Sequence, residues 1–388
     1  MTVVSQIFLK PAIGANDQRV STLQQRTAEL KDQLDLRLRE APELVKRFNA
    51  LALLGKNVRS SEYHLTNACN LRCEGCWFFE LEHDKETRDQ VDIKRLKEFV
   101  QTEHDDRGIN TALIIGGEPT LFTDRLSVFV EQMKNVTIST NGLKKLPFEG
   151  FEKVAIGITL FGGGELDDKL RAIRPNGSRF NGLFDTALEN YHQDERAGFV
   201  YALTLESIDF IEETVRKIHS NGNKVTFNYY TRSTGSVRAN LDKNNKLLSE
   251  ALRVKSLYPR TVVSHPEFIK ALISGRSQLG EFGYHNCPSI SSDHPAHASR
   301  LTNGHPVLPR FNAWSADLKT LKFCCTSGYC ETCRDSQAIY SWLVANMPGF
   351  LGSRENFLTW IEISESYWSQ FVWSPYHAIP DRSVSDAA

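Results

Sequence analysis

Between residues 62 and 230, short apolar and β-branched runs alternate with amphipathic helical patterns, and this alternation restricts the fold more than any other property of the chain. The strand-like runs are 62–66, 111–115 (TALII), 136–140 (VTIST), 154–160 (VAIGITL), 199–205 (FVYALTL) and 224–230 (KVTFNYY). Helical periodicity is expected near 92–103, 123–133, 183–195 and 209–220. Strands joined by helical crossovers pair in parallel, so an α/β fold with a parallel sheet follows.

Directly after the first strand, NACNLRCEGCWFF carries Cys69, Cys73 and Cys76 as CxxxCxxC. Three thiolates at that spacing can hold three irons of a [4Fe-4S] cluster, which normally takes four cysteines, and leave one iron open to a small molecule. Zinc is the alternative, but it prefers four ligands with paired CxxC or His spacing. The second strand runs into Gly116, Gly117, Glu118 and Pro119, where two glycines permit close approach of the backbone to a ligand and Glu118 offers an acceptor for an ammonium. The third ends in Ser139, Thr140, Asn141 and Gly142.

These three motifs, each after an expected strand and in this order, resemble the radical S-adenosylmethionine (SAM) superfamily. The resemblance implies a partial (β/α)6 barrel with its functional loops at the C-terminal strand ends. It also implies that Gly116, Gly117, Glu118 and Pro119 meet the amino group of SAM and that Thr140 and Asn141 lie in its site. The fourth strand contributes Thr159, and the stretch after it contains Asp168-x-x-Arg171, similar to a region of SPASM and twitch-type members. In that reading Arg171 pairs with the SAM carboxylate through its two-pronged donor; the residues alone equally allow a solvated loop arginine. Gly75 departs from the aromatic residue usual before the third cysteine, and Trp77 and Phe78 are expected to supply that wall.

A second group, Cys287, Cys324, Cys325, Cys330 and Cys333, follows a segment rich in His, Pro and aromatic residues. A hairpin is expected from Phe311–Ser315 and Thr320–Cys324 with Asp317 in its turn, and this resembles the twitch or SPASM region that binds an auxiliary [4Fe-4S] cluster. A zinc ribbon would use the same cysteines. Alternation with Leu321 and Phe323 turns Cys325 inward, whereas the family's hairpin favours Cys324 as the ligand; Cys324 is preferred. Arg232 and Arg238, in the polar turn after Tyr230, are candidates to meet substrate.

The chain of 388 residues, 40% hydrophobic, can bury a large core. Three regions are expected: an N-terminal helical extension over 1–57, a barrel over 58–240 and a cysteine-rich region over 241–388. Helices begin at Ser21, closing at Pro42, and at Glu43, ending at Gly55; they are expected to cover the barrel. Two more are expected at 244–257 and near 266–275, and two at Ser336–Ala345 and Glu355–Val372, where Trp342, Trp360, Tyr367, Trp368 and Trp373 form a core stripe. A net charge of -1 is poor material for nucleic-acid binding. No apolar run reaches the roughly 18 residues that span a bilayer, and no signal peptide is recognisable, so a soluble, cytoplasmic, reducing setting is expected.

The resemblance implies a radical SAM enzyme that reductively cleaves SAM to a 5'-deoxyadenosyl radical, with an electron donor such as flavodoxin or ferredoxin. The substrate is expected to be a small biosynthetic intermediate, undergoing oxidation or rearrangement; modification of a ribosomally made peptide is the alternative.

Overall fold

The computed structural model describes residues 17–229, 241–282, 290–295, 308, 310–324 and 333–371. Cys287, Cys325, Cys330, Arg232, Arg238 and Trp373 lie outside the described residues.

Six parallel strands form the body of the sheet: β1 (Ser60–His64), β2 (Thr111–Ile115), β3 (Asn135–Thr140), β4 (Val154–Leu160), β5 (Ala197–Leu203) and β6 (Lys224–Tyr229). They run in spatial order β1 to β6, with helices Ile93–Asp105, Thr123–Gln132 and Ile211–Ser220 among the crossovers. This is the open barrel expected of the sequence.

A hairpin, β7 (Ala313–Trp314) and β8 (Leu321–Lys322), lengthens the sheet on its first edge: β7 pairs in parallel with β1 at Glu62 and Tyr63. Asp317 closes its turn by accepting from the backbone of Lys319 and Thr320. Trp314 is anchored from below, its indole donating to Glu103 at 3.1 Å beside the Tyr63 hydroxyl.

Several boundaries differ from the sequence reading for local reasons. Gly55 does not end its helix, which runs Pro42–Asn57. The strand expected at 199–205 stops at Leu203, because Thr204 and Ser207 form a capping box over the 3₁₀ turn Leu205–Phe210. The helix expected through residue 195 stops at Asn190; beyond it Asp194 holds the buried Arg196, whose guanidinium also donates to the carbonyls of Leu146, Pro147 and Phe151. Gly164–Arg171, where a solvated loop arginine was one of two readings, is a helix.

The helix Pro42–Asn57 lies against Arg354–Trp368 through Phe48, which meets Phe357 and Trp360, and through the Arg47–Glu365 pair. Trp342, Trp360, Tyr367 and Trp368 are buried as expected. Among the described residues no helix is long and apolar enough to cross a membrane.

Candidate active site

The loop after β1 is pinned before it reaches its cysteines. Asp89 accepts from the Thr66 hydroxyl, the Asn67 backbone N–H and Arg125, and Arg125 also donates to the Leu65 carbonyl. Farther along, Arg72 N–H donates to Ile173 O and Glu74 N–H to Leu170 O, both 2.7 Å, which ties the cysteine loop to the end of the Gly164–Arg171 helix. Cys69 and Cys73 rest against Leu71, Ala172 and Leu183, and Cys76 begins the short helix Trp77–Glu80. Gly75 sits at φ +75°, a left-handed conformation that an aromatic residue adopts only with strain, which accounts for the glycine before the third cysteine. Phe78 is buried behind it.

Burial pushes the Cys69 thiol up to about 12 and the Cys76 thiol up to about 11, and raises Cys73 in the same way. Thiolates here therefore call for a cationic partner, which an iron-sulfur cluster provides. Among the described residues no three His, Cys, Asp or Glu side chains converge as they would around a single ion. A cubane takes one thiolate per iron and does not require such convergence, so the residues fit the cluster.

The Gly-Gly-Glu-Pro turn interlocks with this loop. A Cβ on Gly117 would stand 2.1 Å from the Ala68 carbonyl oxygen, and one on Gly116, at φ +131°, would stand 2.7 Å from that of Thr66. The glycines are thus required by the cysteine loop itself, whereas the sequence reading assigned their space to a ligand. Glu118 is buried and well supplied with donors: Oε1 accepts from the Thr120 N–H and hydroxyl and from the Thr140 hydroxyl at 2.8 Å, and Oε2 from the Asn141 N–H at 2.8 Å. Asn141 in turn donates from Nδ2 to Asn70 Oδ1 at 2.7 Å, inside the cysteine loop. Glu118 therefore stitches the second and third strand ends together, and Asn141 ties both to the cysteines.

Arg171 is buried, not solvated. Its Nη1 donates to the Thr159 carbonyl and pairs with Asp167 Oδ2 at 3.3 Å. The acidic residue of the Asp168-x-x-Arg171 pattern does something else: Asp168 caps the helix Leu183–Asn190, accepting from Gly182 N–H at 2.7 Å and Leu183 N–H at 2.9 Å.

A cavity of about 420 Å3 joins these parts, within the roughly 300–1,000 Å3 typical of small-molecule sites. Its wall includes Cys69, Cys73, Cys76, Gly116, Gly117, Glu118, Thr140, Asn141, Thr159 and Arg171. Pro119 is buried in the turn behind Glu118 and is not on that wall. The lining also includes Glu62 on β1, Asn228 and Tyr229 on β6, the segment Cys333–Gln337, and Gln370.

The sequence reading missed Glu62, its neighbour His64, and Lys322. A signal was present: Glu62 and His64 are polar residues two apart in a strand whose five residues are all buried, so they share one inward face. Cys324 is buried along with Lys322, while Leu321 and Phe323 are only partly covered. On the described part of β8 the inward set is therefore Lys322 and Cys324, and not Leu321 and Phe323 as the alternation was expected to run.

Residues 63–232 match the model of the Radical SAM superfamily. No curated protein matches the sequence. Among solved structures, native anSMEcpe with bound AdoMet is 13% identical, with 60% of this chain and 70% of that chain covered at a TM-score of 0.43. Native anSMEcpe with bound AdoMet and Cp18Cys peptide is 14% identical, with 69% and 74% covered at a TM-score of 0.46. The three cysteines and the two turns that meet them on one cavity all fall inside the matched span.

Proposed function

We propose that this protein is a radical SAM enzyme acting on a small biosynthetic intermediate, with Cys69, Cys73 and Cys76 holding the [4Fe-4S] cluster whose open iron meets SAM. The observation that carries this reading is the single cavity onto which those cysteines, Glu118, Thr140, Asn141, Thr159 and Arg171 all open. Cys69, Cys73 and Cys76 would hold the cluster, which when bound would supply one-electron reduction of the SAM sulfonium to methionine and a hydrogen-abstracting 5'-deoxyadenosyl radical, the electron coming from an external donor of the flavodoxin or ferredoxin kind.

The remaining work belongs to the chain. Glu118, fixed by four donors, presents its carboxylate and the adjoining Gly116–Gly117 backbone to the amino group of SAM. Arg171, held from one side through Nη1, has donors to spare for the SAM carboxylate. Trp77 and Phe78 shield the cysteine loop from water. We further assign Cys324, Cys333, Cys287 and Cys330 to an auxiliary [4Fe-4S] cluster, with Cys325 outside its ligand set. The buried position of Cys324 supports this choice, and Cys333 lines the same cavity as the first three cysteines. The expected division into 1–57, 58–240 and 241–388 is kept as part of this proposal.

Anaerobic reconstitution with iron, sulfide, SAM and dithionite tests the reading. Wild-type protein should form 5'-deoxyadenosine, and each of Cys69→Ala, Cys73→Ala and Cys76→Ala should not. Formation of 5'-deoxyadenosine by the triple variant would overturn the assignment.

A further inference from the structure

Glu62 is a buried acidic residue on the strand before the cysteine loop, outside the turns assigned to SAM. It sits in the middle of β1, between the cysteine loop and the hairpin, one strand away from the turns assigned to SAM. Its side chain is 8% exposed and lines the cavity. Its Oε1 is buried and has no hydrogen-bond partner among the described residues, and the same is true of His64 Nε2, 3.7 Å away, and of Lys322 Nζ.

We propose that Glu62 is the anchor for the substrate and that the group it receives is a cationic amine. The proposal rests on the reading of the cavity as a SAM site and adds the chemical group that the substrate presents there. A buried carboxyl with an unmet acceptor is costly to keep, and a charge-assisted N–H donor is the partner that offsets this best. The neighbours do not fill the role. His64 is held neutral, since burial pushes its pKa well down. Among the described residues no lysine or arginine comes within ion-pair distance of Glu62; Lys322 attracts it from farther off while also reaching towards Glu86, 4.0 Å away, and lies over the Trp77 ring. Asp335, at the head of the helix Ser336–Ala345, adds a second acid to the same wall. Two acids, with the aromatic faces of Trp77, Phe161 and Tyr229 on the same cavity, suit an ammonium carried on an apolar body.

The test is a binding comparison with SAM saturating and reductant omitted, so that the SAM ammonium site is filled and no turnover is needed. Three probes of one shape are titrated by calorimetry: 2-phenylethylamine, 2-phenylethanol and 3-phenylpropionate. Wild-type protein should bind the amine at least about tenfold more tightly than the other two, as expected for a charge-assisted over a neutral hydrogen bond, and Glu62→Gln should lose that preference. Equal binding of the three probes, or an amine preference that survives Glu62→Gln, overturns the assignment. Should Glu62→Gln not fold, the wild-type series alone decides. SAM affinity is measured on the same samples: a protein that does not bind SAM refutes the proposed function, and the loss of amine preference from wild type to Glu62→Gln, measured then without SAM, still tests Glu62.

Discussion

Removing the Arg171 guanidinium should produce two effects that can be separated, because the structure gives this side chain two duties. In Arg171→Met the Asp167 carboxylate, only 1% exposed, loses its partner at 3.3 Å. Leaving one member of a buried ion pair uncompensated costs about 3–5 kcal/mol. The second change, Asp167→Asn, removes the orphaned charge but keeps an oxygen for the Phe161 N–H, which Asp167 Oδ1 accepts at 2.6 Å. The double variant should therefore be more stable than the single. SAM binding should behave differently: loss of a charge-assisted contact is worth ~1.5–3 kcal/mol, about ten- to a hundredfold in affinity, and the second substitution should not restore it. Urea titrations followed by tryptophan fluorescence give the stabilities, and equilibrium SAM titration gives the affinities. A double variant no more stable than Arg171→Met would refute the ion-pair argument. An unchanged SAM dissociation constant in the single variant would remove Arg171 from the SAM site.

Burial, with Asp335 nearby, raises the Glu62 pKa well above its ordinary 4.5, so the folded state binds a proton that the unfolded state has released. Stability from this group is present below about pH 4.5 and is lost as pH rises towards the folded value; Glu62→Gln should match wild type at acid pH and gain on it by up to ~1.4 kcal/mol per pH unit above that, and a pH-independent difference in urea midpoints would refute this. For the auxiliary cluster, iron counting should show about four irons lost in Cys324→Ala and none in Cys325→Ala, since a [4Fe-4S] cluster depends on each of its ligands; the reverse would exchange the two cysteines, and a full complement in both would remove the cluster from this hairpin.

The strands were legible because apolar runs of five to seven residues between helical patterns leave few alternatives, and β2 and β4 fall on their expected residues. What escaped the sequence is what depends on partners far away in the chain. The sequence announces the hairpin of β7 and β8, but not the pairing of β7 with β1, some 250 positions earlier. The inward face of that hairpin was misjudged for the same reason: Leu321 and Phe323 read as core residues, but Lys322, in register with Glu62 through Ala313, is the buried one. Arg171 illustrates a different failure. A pattern with an acid three residues before an arginine suggests one unit, yet Asp168 caps a helix and Asp167 holds the arginine, a division decided by helical geometry that places residues four apart on one face.

The motifs themselves were legible as residues and illegible as a mechanism of assembly. Gly117 reads as room for a ligand, but the 2.1 Å that would separate its Cβ from Ala68 O shows that the strand end and the cysteine loop already occupy that room. Glu118 reads as a ligand for an ammonium, and it also accepts from Thr120, Thr140 and Asn141. Three turns that are remote in sequence are thus joined by the motifs themselves: the Gly117 backbone N–H to Thr66 O, the Glu118 side chain to the third strand end, and the Asn141 side chain back to Asn70. Chemistry at the cavity requires the cysteines to keep a fixed position relative to the groups that orient the ligand, and each of these motif residues contributes to that fixed position before any ligand arrives.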